Sequence, residues 1–142
     1  MQTLNQLLEI KGRNIWSVEP ESSVFTAIKA MAEHGVGALL VIESGRPVGI
    51  ISERDYARKV ILQGRSSQQT PVREIMTTRV IYAKPDVRIG EAMALMTERR
   101  IRHLPVIDGG SLQGIVSIGD LVKTIIAEQQ HRIEQLENYI SG

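Results

Sequence analysis

The chain has 142 residues, 42% of them apolar, with 17 basic and 16 acidic side chains and a net charge of +1. A near-neutral balance removes the electrostatic footprint that nucleic acid or an anionic membrane demands, and the absence of cysteine removes disulfides, thiolate nucleophiles and cysteine-based zinc sites. No apolar run approaches the roughly 20 residues of a membrane helix, and MQTLNQLLEIKG lacks a basic region followed by an apolar stretch, so a soluble cytoplasmic protein is expected.

Taken along the chain, the predicted elements come in two rounds. A short apolar strand at 15–18 is closed by Glu19-Pro20, since proline disfavours continuation. An amphipathic helix follows, with Val24, Ile28, Met31 and Ala32 on one face. Two strands, ALLVIE at 38–43 and PVGIIS at 47–52, flank the turn signal Ser44-Gly45. A second helix opens at Glu53, with Ser52 as its N-cap. The polar stretch GRSSQQT at 64–70 reads as a linker. The same order then returns: a strand at 80–83 closed by Lys84-Pro85, and a helix with Ile89, Met93 and Met96 on one face. Strands HLPVID and LQGIVS follow around Gly109-Gly110, and a helix opens at Ile118 behind Ser117.

The two rounds align without a gap at a constant offset of 65 positions, Gly49 to Gly114 and Asp55 to Asp120. Pro20 meets Pro85, Met31 meets Met96, and Val41-Ile42 meets Val106-Ile107. The chain therefore divides into a first copy at 1–64, a linker at 65–71, a second copy at 72–127 and a helical tail at 128–142. The fold class is α/β, two tandem β-α-β-β-α units with a C-terminal helical extension. In that extension Val122, Ile126, Gln129, Ile133, Leu136 and Ile140 fall at steps of four and three, a short heptad seam interrupted by Gln129. It reads either as a self-association or docking helix or as a tail that packs back or frays.

The phrase G-h-h-S-x-x-D closes each copy, as GIISERD at 49–55 and GIVSIGD at 114–120. The bland reading is a capping box, with serine at the N-cap and an acid in the first turn that suits the helix dipole. The functional reading uses the same atoms. Helix-terminal amides attract phosphate, a carboxylate can accept from a ribose diol, and Gly49 and Gly114 allow close approach to the backbone. Both readings stand together.

The doubled phrase, with the h-P-V-h-D strand before it, resembles a CBS domain, and two in tandem resemble a CBS pair, or Bateman module. The resemblance covers about residues 4–127. It implies a pseudo-twofold module with two clefts between the repeats, which bind adenosine ligands: AMP, ADP, ATP, NAD-type dinucleotides or S-adenosylmethionine. It implies regulation of an unidentified separate protein, a homodimer, no obligatory cofactor and no catalysis. By the family's pattern one cleft joins Ser117, Gly119 and Asp120 to Ser17, Gly37 and Ala38, with Arg102 and His103 placed to hold phosphate. Its small walls leave room for an adenine, so it is the better AMP-like site. The other joins Ser52, Arg54 and Asp55 to Tyr82, Arg102 and His103, and is tighter. The alternative for Arg99–His103 is a solvated basic strand edge.

No further chemistry is visible. His103 has no second ligand at metal spacing, so a metal role is not expected. Glu53-Arg54-Asp55 lacks every other part of a kinase signature. Met31, Met76, Met93 and Met96 sit at or beside apolar periodic positions and read as core. A nucleotide hydrolase has no catalytic constellation to support it. A structural homodimerisation module with degenerate clefts is the main alternative to a nucleotide sensor. Neither a nucleic-acid partner nor a membrane is expected.

Overall fold

The computed structural model describes residues 2–141. The elements run α1 (Leu4–Lys11), β1 (Ser17–Val18), α2 (Val24–His34), β2 (Ala38–Glu43), β3 (Arg46–Ser52) and α3 (Glu53–Tyr56). Then come α4 (Ile89–Arg99), β4 (His103–Asp108), β5 (Ser111–Ser117) and α5 (Ile118–Ser141). The chain is α/β, with two small sheets and a long C-terminal helix, as its repeat order requires. No helix among the described residues is long and apolar enough to cross a membrane.

The hairpins form as their turns dictate. Ser44 and Gly45 both have positive φ, 51° and 77°, the backbone of a two-residue turn that matches strand twist. Gly109 and Gly110 repeat it at 56° and 82°. β2 pairs antiparallel with β3, and β4 with β5, each with an irregularity after the same position, Val41 and Val106. The expected opening strands are shorter than the sequence suggests. β1 keeps two residues beside β2, and in the second copy only Ala83 bridges Val106. The Trp16 carbonyl still accepts from the Leu40 amide, and Ala83 exchanges both backbone bonds with the flanking Pro105 and Ile107. Val18 faces Val41 as Ala83 faces Val106, so the registers match.

The described residues form two compact units, Ile15–Val80 and the remainder, made of the segment up to Asn14 with the segment from Ile81 onward. Packing thus cuts the chain differently from the repeat. The copy-one unit has a core of Val24, Ala27, Met31, Leu39, Val41, Ile51 and Val60. It is completed by Val72 and Ile75, which lie before the body of the second copy. The copy-two unit has a core of Ile89, Ala92, Met96, Leu104, Val116 and Leu121, completed by Leu4, Leu7 and Leu8 of α1. Each unit therefore contains the lead-in segment of the other repeat. Of the apolar face expected on α2, Val24 and Met31 are buried, Ile28 is partly so, and Ala32 is exposed. The linker is bound down within its unit. Thr70 is buried, and the carbonyls of Thr70 and Ser67 accept from the Val24 and Phe25 amides, first-turn donors that a helix leaves unsatisfied.

Candidate functional site

Both copies build the Ser-x-x-Asp phrase the same way. Ser52 caps α3: the Asp55 amide donates to Ser52 Oγ at 3.1 Å, and the Ser52 amide donates to Asp55 Oδ2 at 3.0 Å. Ser117 repeats this at the start of α5, with 3.1 Å from the Asp120 amide and 2.8 Å to Asp120 Oδ2. The capping-box reading is therefore correct in both copies. A second bond fixes each helix start: the Glu53 amide donates to the Gly37 carbonyl, and the Ile118 amide to the Arg102 carbonyl. Gly37 and Arg102, candidate wall positions, are thereby tied to the helix that carries the carboxylate of their own unit.

The carboxylates differ in what neutralises them. Asp120 receives Lys11 from the end of α1, Nζ to Oδ2 at 2.6 Å, and the same ammonium donates to the Ile115 carbonyl at 2.7 Å. Burial by itself would raise the Asp120 carboxyl. The Lys11 ammonium and the Ser117 bonds outweigh it and hold the group below its usual range. Lys11 and the Ser117 amide both bind Oδ2, so Oδ1 keeps its accepting capacity. Asp55 spends both oxygens. Oδ2 takes the Ser52 amide and hydroxyl, while Oδ1 takes Lys59 at 3.0 Å and the Thr77 hydroxyl at 3.4 Å.

Around Asp120, His103 pairs in register with Ser117 on β4 and β5, with Arg102 just before it and exposed. Burial pushes the His103 imidazole below its usual value, and Lys11 adds to this, so the ring favours its neutral form. Gly119 is exposed on the first turn of α5, and Tyr82 is half-buried beside Ala83, its hydroxyl raised by burial. All five belong to the copy-two unit. In the copy-one unit, Ala38 pairs with Ser52, Ser17 lies exposed on β1, and Arg54 is exposed on α3. Gly37 lines a half-open pocket of about 450 Å³, walled by Ile28, Met31, Val36, Glu53 and Tyr56. No cluster of three or more metal-ligating side chains exists among the described residues.

The close approach that Gly49 and Gly114 permit is made by the chain itself. A Cβ on Gly114 would lie 2.7 Å from Leu8 Cδ2, and one on Gly49 would lie 2.9 Å from both Met76 Sδ and the Thr77 carbonyl. The lead-in segments, rather than a ligand, rest on these glycines. Lys11, Lys59 and Thr77 are the site residues that sequence reasoning missed. Lys59 was accessible as an i,i+4 partner of Asp55. Lys11, 109 residues from Asp120, has no local signal.

Two stretches of the chain, 9–61 and 72–127, match the family model described as CBS domain. The chain is similar to the CBS domain-containing protein CBSX3, mitochondrial, of Arabidopsis thaliana, at 41% identity over 99% of this chain and 72% of that protein. It is also similar to a solved protein with CBS domains from Burkholderia ambifaria, at 55% identity and a TM-score of 0.87, covering 90% of this chain and 96% of that one. The CBS domain pair of protein MJ0100, solved with 5′-methylthioadenosine and S-adenosyl-L-methionine, is 25% identical with a TM-score of 0.79, covering 90% and 98%.

Proposed function

The chain belongs to the CBS-domain family and carries two copies of the domain, and from that premise we propose that it is a non-catalytic cytoplasmic regulator that binds an adenosine nucleotide. The ligand is AMP-like, with ADP, ATP and NAD as the related candidates. It sits in the cleft between the repeats that Asp120 serves, joined by Ser17, Gly37 and Ala38. Asp120 Oδ1 accepts from the ribose diol, and Arg102 and His103 face the phosphate. Binding shifts the balance between two states of a homodimer or of a separate partner protein, by the difference in affinity for the two.

One observation carries this reading. Asp120 is held ionised and anchored through one oxygen, which leaves the other as a fixed acceptor. The adenosine ligands bound by the CBS pair of MJ0100 support the ligand class. Asp55 favours a second reading for its own cleft: both of its oxygens are engaged, which fits a site that stays empty and serves structure.

The test is a thermal-shift panel of AMP, ADP, ATP, NAD, NADH and S-adenosylmethionine on the chain, Asp120→Ala and Asp55→Ala. Ligand at 100 times its Kd adds about 2.7 kcal/mol of stability. A rise with one adenosine ligand, lost in Asp120→Ala and kept in Asp55→Ala, is expected. No rise with any of them supports a scaffold module with degenerate clefts. Turnover of ATP or NAD would overturn the non-catalytic assignment.

A further inference from the structure

Helix α5 has two faces with different occupants. Leu121 is fully buried, Ile125 packs against the copy-two core, and Glu128 accepts from the Gln2 amide at 2.9 Å. These residues anchor the helix to its own unit. The heptad seam lies roughly 100° around the axis from them, since each anchoring residue is followed directly by a seam residue. Its apolar members are exposed, from 40% at Val122 to 82% at Ile140. Covering the seam therefore leaves the anchoring face in place. Beyond Glu128 every described residue of α5 is exposed, a length of about 20 Å. A helix of three or four turns surrounded by water is marginal by itself, and this one carries Ile133, Leu136 and Ile140 into solvent.

We propose that α5 pairs with the α5 of a second copy of this chain, as a parallel, in-register two-stranded coiled coil. Spacing assigns Ile126, Ile133 and Ile140 to a positions and Val122, Gln129 and Leu136 to d positions. β-branched residues at a with leucine at d favour two parallel strands. Gln129 is the single polar residue in the seam, and in-register pairing sets it against its twin, where the two amides satisfy each other. Arg132 at g and Glu137 at e stand five residues apart, the spacing at which g of one strand meets the following e of a parallel partner. Each such dimer gains two Arg132–Glu137 ion pairs. The antiparallel pairing of the same seam sets Gln129 opposite Ile133 and Arg132 opposite its own twin, an unpartnered amide and a like-charge clash.

The chain has no cysteine, so single cysteines report the pairing without background. In the full chain, Gln129→Cys and Leu136→Cys each form an interchain disulfide under mild oxidant, while Asn138→Cys, on the outer face, does not. Adding Arg132→Glu or Glu137→Arg to Leu136→Cys lowers the yield about fivefold at limiting protein concentration, and adding both restores it. These positions are exposed, so circular dichroism is unchanged apart from the tail. Failure of either d-position cysteine to cross-link, or of the double charge reversal to restore the yield, overturns the proposal.

Discussion

The copy-one and copy-two units carry the same phrase at the same strand end, yet each neutralises its carboxylate with a different lysine. Lys59 lies four residues after Asp55 on the same stretch of chain, nearly half exposed. Lys11 reaches Asp120 from α1, the lead-in helix of the first copy, and it also binds a backbone carbonyl. The first lysine is local, and with Ser52 and the more distant Thr77 it leaves both carboxylate oxygens of Asp55 engaged. The second is tertiary and uses one. A duplicated sequence therefore need not yield duplicated chemistry, because the lead-in segments that pack on the two hairpins are not copies of each other where it matters: Lys11 stands where the second copy has Met76.

That contrast can be broken at several points. The largest effect is expected from Leu8→Ala, which empties a fully buried position in the copy-two core and lowers stability by about 2–5 kcal/mol in urea unfolding. Combined with Gly114→Ala it should cost less than the sum of the two singles, since the new methyl enters the vacated space. Gly49→Ala follows, at about 1–3 kcal/mol, because its methyl meets a backbone carbonyl that cannot rotate away. Trp16, stacked on His34 at 3.7 Å, is the sole tryptophan and lies in the copy-one unit. Its emission follows that unit, while far-ultraviolet circular dichroism follows both. Gly49→Ala should therefore shift the Trp16 transition more than Gly114→Ala does.

Removing the lysines gives a smaller effect. Lys11→Met should cost about 1 kcal/mol and Lys59→Met about half of that, since both pairs are partly exposed and the second is an i,i+4 helix pair. The Asp120 carboxyl is depressed in the folded chain, so its contribution is complete above the ordinary value of 3.8 and is lost as pH falls through the lower folded value. Lys11→Met should move this acid loss to higher pH. The smallest effect belongs to His103, whose folded value lies below the ordinary 6.5. The unfolded chain takes the proton first, so stability is full above pH 6.5 and declines as pH drops below it. His103→Gln should flatten that decline in a melting-temperature series from pH 7.5 to 5.

Much of the fold is legible without coordinates because its signals are local. The strands 38–43 and 103–108 coincide with ALLVIE and HLPVID, since short apolar runs with β-branched residues, bounded by turn signals, leave little choice. The capping boxes follow from Ser and Asp three residues apart. The opening strands are overstated, because a strand survives only where a neighbour pairs with it, and β2 and β4 offer that pairing to few residues. The linker is polar in composition yet tied to the start of α2, because that helix leaves amides which the linker carbonyls satisfy.

By itself the sequence determined the two copies, their α/β order, the turns, the caps, the heptad seam and the family, all of which rest on patterns within a few residues or on the constant offset between copies. Tertiary structure alone decided which lead-in segment completes which core, why Gly49 and Gly114 must be glycine, and that Lys11 neutralises Asp120 while leaving Oδ1 to accept. Each of these joins residues far apart in the chain. Burial of the apolar face of α1 against β5 and α5 selects the pairing, and a linear sequence carries no local trace of which hairpin that face will cover.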